Sequence, residues 1–204
     1  MAEWEVLDFR GDGRCVLETD TSVPSGFGSK VLRLRGSELV VLAKDAFLEE
    51  GTVVVLWKDD EPLSNDSDGV LLFQGEYSDD LATEYNLKQN RPHYFVEQDA
   101  DAGFQIKYHP GDSDKIYLVK AQNGVGLTQG DWNRTGWIWQ KLTIRDGLLK
   151  AKFWSAAKPE PADWNLELPD WEAKRGRIGL QVWSGYASVA YFAASESDIR
   201  VEPP

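Results

Sequence analysis

Trp139-Gln-Lys-Leu-Thr-Ile-Arg-Asp-Gly-Leu-Leu-Lys-Ala-Lys-Phe-Trp154 is the stretch on which the fold turns. Asp146-Gly147 stands at its centre, and a two-residue type I′ turn needs φ > 0 at both central positions, which Asp tolerates and Gly accepts freely. The turn sets the register of the two arms. Arg145 faces Leu148, Thr143 faces Lys150, Lys141 faces Lys152 and Trp139 faces Trp154. Because side chains alternate along a strand, Gln140, Leu142, Ile144, Leu149, Ala151 and Phe153 point the other way. One face is apolar core. The opposite face carries four cations and two facing indoles, in a region that holds seven of the nine tryptophans.

Working outward, the same alternation of strand and turn recurs. Glu3 to Phe9, Arg14 to Glu18, Lys30 to Arg35 and Leu39 to Lys44 read as short strands between Gly- and Pro-bearing turns. Gly51 to Asp59 places Val53, Val55 and Trp57 on one face and Val54, Leu56 and Lys58 on the other, as in a strand covered on both sides. Gly69 to Tyr77, His93 to Gln98, Gly103 to Tyr108 and Ile116 to Ala121 precede the hairpin. Arg177 to Trp183, Val189 to Phe192 and a closing segment, Asp198 to Val201, follow it. About a dozen strands at spacings of about 8 to 12 residues predict an all-β, two-sheet antiparallel sandwich. Asp79 to Leu87 and Asp170 to Lys174 are the two stretches with any helical character, and Leu17 to Phe27 reads as an irregular loop.

Composition bounds the rest. No linker, repeat or low-complexity tract divides the 204 residues, so residues 1–204 are expected to form a single domain. The net charge of −12, from 22 Lys and Arg against 34 Asp and Glu, argues against nucleic acid and anionic membrane as partners. The lone Cys15 has no internal partner for a disulfide. No apolar run approaches the roughly 18 residues of a membrane span. Met1-Ala-Glu-Trp-Glu-Val6 has no signal-peptide pattern, which leads us to expect cytoplasmic synthesis, with a virion or a cell surface open as the final site.

The C-terminal half resembles the concanavalin A-like lectin/glucanase superfamily, nearest its laminin-G-like and keto-disaccharide hydrolase-like jelly rolls. The resemblance rests on Trp139 to Trp154, then Pro159-Glu-Pro-Ala-Asp-Trp164, then Gly176-Arg-Ile-Gly-Leu-Gln-Val-Trp-Ser184, and covers about residues 137 to 201. It implies a jelly-roll sandwich of two antiparallel sheets whose first and last strands are adjacent. Calcium is often held in acidic loops of such domains. The closing segment, Phe192 to Val201, is longer than the family's usual ending, and no catalytic residue carries over.

Three constellations have chemistry to offer. A pyranose presents an apolar C-H face and a rim of hydroxyls, so a site for it combines an indole with charged or amide hydrogen-bonding groups. Trp139, Trp154, Lys141 and Lys152 offer that combination on the outer hairpin face, and Gln181 and Trp183 share a parity that could extend it. The competing reading covers these indoles with the loop from Ser155 to Trp171. Either way Lys141 opposite Lys152 requires an anion, because like charges paired across strands destabilise a sheet. The acidic run from Asp59 to Asp68 offers oxygen ligands, with Asp66-x-Asp68-Gly loosely like the start of a calcium loop; no cofactor is required, and Ca2+ at Asp66 and Asp68 competes with an ordinary solvated turn. Glu97 and Asp99, with Asp101, share one strand parity, as the carboxylate pair of a glycoside hydrolase does at about 5 to 5.5 Å; a turn at Asp99 to Gly103 is the simpler reading. His93 and His109 stand apart, without another His or Cys at ligand spacing.

These readings favour a non-catalytic, lectin-like carbohydrate-binding module whose partner is a glycan or glycoconjugate. A structural or adhesion protein, such as a virion-surface, tail or capsid-decoration component assembled with other protein subunits, is the alternative. A glycoside hydrolase of the same superfamily is the third.

Overall fold

A computed structural model describes residues 4–8, 10–37, 39–60, 68–75, 93–99, 103–109, 117–122, 136–169, 175–183 and 185–202. The strands, in chain order, are Trp4–Asp8 (β1), Arg14–Thr19 (β2), Lys30–Gly36 (β3), Leu39–Leu48 (β4), Gly51–Asp59 (β5), Asp68–Gly75 (β6), His93–Asp99 (β7), Gly103–His109 (β8), Tyr117–Gln122 (β9), Ile138–Arg145 (β10), Leu148–Ser155 (β11), Leu166–Leu168 (β12), Gly176–Trp183 (β13) and Gly185–Ser195 (β14). They form two seven-stranded sheets in the orders β1-β4-β13-β6-β7-β8-β9 and β12-β11-β10-β5-β14-β3-β2, and every pairing between them is antiparallel. The expected all-β, two-sheet sandwich is what the chain adopts. Among the described residues no helix is long and apolar enough to cross a membrane.

The hairpin has the register its turn demands, from Arg145 opposite Leu148 to Trp139 opposite Trp154. Asp146 and Gly147 have φ of 51° and 71°, the left-handed pair that a type I′ turn needs. The Asp146 amide also donates to Glu50 Oε1 at 2.9 Å, tying the turn to the connection between β4 and β5. The inner hairpin face meets the opposite sheet. Leu142, Ile144, Leu149, Ala151 and Phe153 pack with Val53, Val55 and Trp57 of β5, Leu39, Val41 and Ala43 of β4, and Ile178, Leu180 and Val182 of β13. Each Val, Leu, Ile or Phe side chain so buried contributes about 1.5 to 3 kcal/mol relative to exposure. On the far face of β5, Val54 and Leu56 belong to a second apolar cluster, so this strand is covered on both sides as its composition requires.

Four features depart from expectation. The first and last strands are not adjacent: β1 pairs with β4 at the rim of one sheet, whereas β14 lies between β3 and β5 in the other. β14 is much longer than Val189 to Phe192, because a register shift between Val189 and Tyr191 lets it continue along β5 after its alternation breaks. Asp198 to Val201 is not a strand but an extended tail across the outer face of the hairpin sheet, and Leu166–Leu168 supplies an additional short edge strand. The two stretches with helical character, Asp79 to Leu87 and Asp170 to Lys174, lie outside the described residues.

At Gly179 the backbones of β13 and β4 approach so closely that a Cβ would strike the Val41 carbonyl oxygen and Leu42 Cα, both main-chain atoms that cannot swing aside. Gly179→Ala is therefore expected to cost about 1 to 3 kcal/mol as an overpacked site. A urea midpoint unchanged from the parent chain would refute this.

Candidate functional site: an open rim beside a covered indole face

Outer side chains of the hairpin sheet divide into two regions. Over β11, β10 and β5 the face is covered. Trp139 and Trp154 stack with ring centroids 6.2 Å apart at 21°, while Phe27 and Tyr191 meet Trp139 edge-on at 5.2 and 5.7 Å. Val31, Leu56, Trp137 and Ala156 complete the cluster, with Val23, Ile199 and Val201 packed against it. Trp139 and Trp154 are left 2% and 5% exposed. A sugar ring cannot stack on indoles whose faces are already occupied. Of the two readings open from the sequence, the geometry fits the covered face, although much of the cover comes from residues 23–27 and the C-terminal tail rather than from the loop after Ser155 alone.

The lysine pair meets its anion within the chain. Glu160 Oε1 lies 3.0 Å from Lys141 Nζ and 2.6 Å from Lys152 Nζ, and Glu160 Oε2 accepts the Val201 amide at 3.0 Å. Lys141 also reaches Asp198 at 2.9 Å and the Ile199 carbonyl at 2.6 Å; Lys152 donates to the Pro161 carbonyl at 2.8 Å and lies 4.6 Å from the centroid of the Trp164 ring. Burial alone would raise the Glu160 pKa, but hydrogen bonds from Lys152, the Val201 amide and Lys141 outweigh it and hold the carboxyl below its ordinary value. Lys141 and Lys152 act as fasteners for the loop and tail, with both side chains buried and their charges spent internally.

Gln181 and Trp183 do not extend this face. Both lie on β13, in the opposite sheet, where Gln181 is buried with Oε1 lacking a hydrogen-bond partner and Trp183 pairs in register with Asp68. Asp68 opens β6, and Asp66 lies outside the described residues. Among the described residues no group of three His, Cys, Asp or Glu is placed to hold a metal ion. Glu97 and Asp99 lie on β7, with Asp99 paired to Gly103 across the ends of the β7–β8 connection. That same hairpin sets His93 directly opposite His109, a juxtaposition that their separation in sequence conceals.

Over β2, β3 and β14 the face is open and polar. Arg33 and Lys58 are neutralised there: Arg33 pairs with Glu18 at 2.8 Å and lies 3.5 Å from Asp60, and Lys58 pairs with Asp20 at 2.7 Å. Burial pushes the Asp20 pKa up, yet hydrogen bonds from Lys58 and Ser22 prevail and lower it to about 2. One row further along, Arg14, Arg35 and Tyr186 stand directly across three neighbouring strands. The Arg35 guanidinium lies 4.5 Å from the centroid of the Tyr186 ring. Two connections that pass from sheet to sheet, those joining β1 to β2 and β3 to β4, meet at this rim beside the start of β14. Asp12 of the first accepts hydrogen bonds from the Ser37 hydroxyl and, at 3.0 Å, the Ser37 amide of the second. These bonds hold the Asp12 carboxyl below its ordinary pKa. Gly36 is required here, since a Cβ would press on the Gly13 backbone. Together these groups enclose an open cleft of about 460 Å³, lined by Asp12, Arg14, Arg35, Ser37 and Tyr186 with glycine backbone between them.

Sequence reading missed this cleft because its residues come from three separate places in the chain. Gly11-Asp-Gly13 and Gly36-Ser37 each look like ordinary turn residues.

No family model and no curated protein sequence matches the chain. Solved structures match it in fold. The carbohydrate-binding module CBM66 from Bacillus subtilis superposes with a TM-score of 0.63 over 96% of this chain and 96% of that one, at 13% identity. The exoplasmic/lumenal domain of VIP36 in its Ca2+-bound form gives 0.61 over 98% and 86%, at 12% identity. A Bacillus subtilis protein of unknown function with a galectin-like fold gives 0.62 over 95% and 89%, at 14% identity. At such identities the likeness shows the fold alone: the chain has the two-sheet jelly-roll sandwich fold of these structures.

Proposed function

We propose that this chain is a non-catalytic carbohydrate-binding module that takes a saccharide in the rim cleft. The cleft is the observation that carries the reading. Its volume falls within the range of small-molecule sites, and it sets guanidinium donors, a fixed carboxylate and a hydroxyl around one aromatic residue, the mix of groups a sugar requires. The fold shared with a carbohydrate-binding module and with the VIP36 domain adds support. Asp12 is the carboxylate among the described lining residues, and the Ser37 hydroxyl and amide hold it below its ordinary pKa; glycoside hydrolysis needs a second carboxyl and one with a raised pKa.

Titration with a panel of neutral and acidic oligosaccharides, followed by amide chemical shifts, tests the proposal. Shifts are expected to concentrate at residues 11–14, 35–37 and 185–186. An absence of binding, or shifts confined to other surfaces, would overturn it. Repeating the titration with calcium and with chelator tests the acidic loop independently: binding and melting temperature that are the same in both would remove Asp66 and Asp68 as calcium ligands.

A further inference from the structure

Resting on the carbohydrate reading of the rim cleft, we infer that its ligand is an acidic saccharide, one whose carboxylate or sulfate is taken by Arg14 and Arg35. The argument begins with a comparison inside the molecule. Two like-charged pairs stand directly across strands on the outer face of the hairpin sheet, Lys141 with Lys152 and Arg14 with Arg35. Each such pair destabilises a sheet unless an anion lies between its members. For the lysines the chain supplies Glu160 and Asp198. Arg33 and Lys58, one row from the arginines, share Glu18, Asp20 and Asp60. Among the described residues no carboxylate pairs with Arg14 or Arg35, although the chain carries an excess of acids.

The geometry favours capture of a planar or tetrahedral anion. Both arginines are exposed and project from neighbouring strands into the same cleft. Contact with the Tyr186 ring, 4.5 Å from the guanidinium to the ring centroid, restrains Arg35 and leaves less ordering to do on binding. Asp12, the nearby carboxylate, is already committed to the Ser37 amide and hydroxyl and serves to clasp the rim. What remains is a pair of guanidinium forks beside hydroxyl and backbone groups. A fork meets carboxylate or sulfate oxygens with two parallel hydrogen bonds, which a neutral hydroxyl cannot match.

The test compares a polyuronate oligosaccharide, a sulfated oligosaccharide and an uncharged one of equal length, using the parent chain, Arg14→Gln and Tyr186→Ala. One or both acidic ligands should bind at least about tenfold more tightly than the uncharged one, and Arg14→Gln should remove about tenfold of that affinity. Affinity should also weaken as salt is raised, because an exposed ion pair is screened. Arg14 is exposed on an edge strand, so its substitution is expected to leave the melting temperature unchanged. Which acidic ligand gains more distinguishes carboxylate from sulfate as the group recognised. Equal binding of acidic and uncharged ligands, with Arg14→Gln silent and Tyr186→Ala damaging, would overturn the acidic class while leaving carbohydrate binding in place. Binding of none of the three would remove both.

Discussion

Glu160→Ala is expected to lower the unfolding free energy by about 3 to 5 kcal/mol, the range for breaking a buried charge pair by deleting one partner. The carboxylate is the common acceptor of two ammonium groups whose side chains are only 3% and 6% exposed. Without it, Lys141 retains a direct ion pair with Asp198 and the Ile199 carbonyl, whereas Lys152 keeps the Pro161 carbonyl and the Trp164 and Trp154 rings but no carboxylate in direct contact among the described residues. The second loss is mechanical, because Glu160 Oε2 also holds the Val201 amide and hence the tail. Glu160→Gln keeps the volume and one acceptor and should cost less. A denaturant midpoint for Glu160→Ala equivalent to less than about 1 kcal/mol would place the fastener elsewhere.

The same group carries a pH signature with a defined sign. The folded pKa of Glu160 lies below its ordinary value of 4.5 despite burial, owing to Lys152, the Val201 amide and Lys141. Its stabilisation is therefore fully present above about pH 4.5 and is lost as the pH falls through the lowered folded value. Asp20, lowered to about 2, adds a second loss from its ordinary 3.8 downward. Acid unfolding of Glu160→Gln should accordingly begin from lower stability and fall less steeply below pH 4.5 than that of the parent chain.

The second large effect belongs to Trp139→Ala, for which a loss of about 3 to 5 kcal/mol is expected from deletion of a large buried aromatic. The indole stacks on Trp154 and receives Phe27 and Tyr191 edge-on, so its removal opens a void that touches the hairpin, the loop preceding β3 and β14 together. Trp139→Phe should recover part of the loss by refilling some of that volume. Unfolding monitored by near-ultraviolet circular dichroism provides the measurement. If Trp139→Ala kept its stability while losing saccharide binding, the covered face would have to be read again as a ligand platform.

What could be read from residues alone was whatever one local rule determines. Asp146-Gly147 dictates its own turn, and the turn dictates every pairing from Arg145 to Trp139 without help from the rest of the chain. The need of Lys141 and Lys152 for an anion was equally legible. The identity of that anion was not, since Glu160 reaches them only after its loop folds back over β10 and β11. β14 was underestimated because the shift between Val189 and Tyr191 interrupts the two-residue period by which strands are recognised. The two sides of β13 illustrate a further limit: Gln181 has the parity of the outer hairpin residues, but parity does not say in which sheet a strand will lie. The rim cleft was least legible of all, being assembled from turns whose proximity is purely tertiary.

The position of β5 between β10 and β14 has a consequence for how the chain comes into being. Val53-Val54-Val55-Leu56-Trp57 is buried on both faces, yet the strands that flank it begin at residues 138 and 185. At a synthesis rate of about 5 to 20 residues per second, the roughly 80 residues from the end of β5 to the start of β10 take about 4 to 16 s. For that interval the uncharged run from Val53 to Trp57 has both strand edges lacking their final partners, the type of sequence that seeks other chains. Lys58, Asp59 and Asp60, which follow Trp57 directly, place charges where they discourage such encounters. The strand that most firmly unites the finished sheet is thus the nascent chain's chief exposure, and its ribosome-bound lifetime marks when a chaperone would matter most.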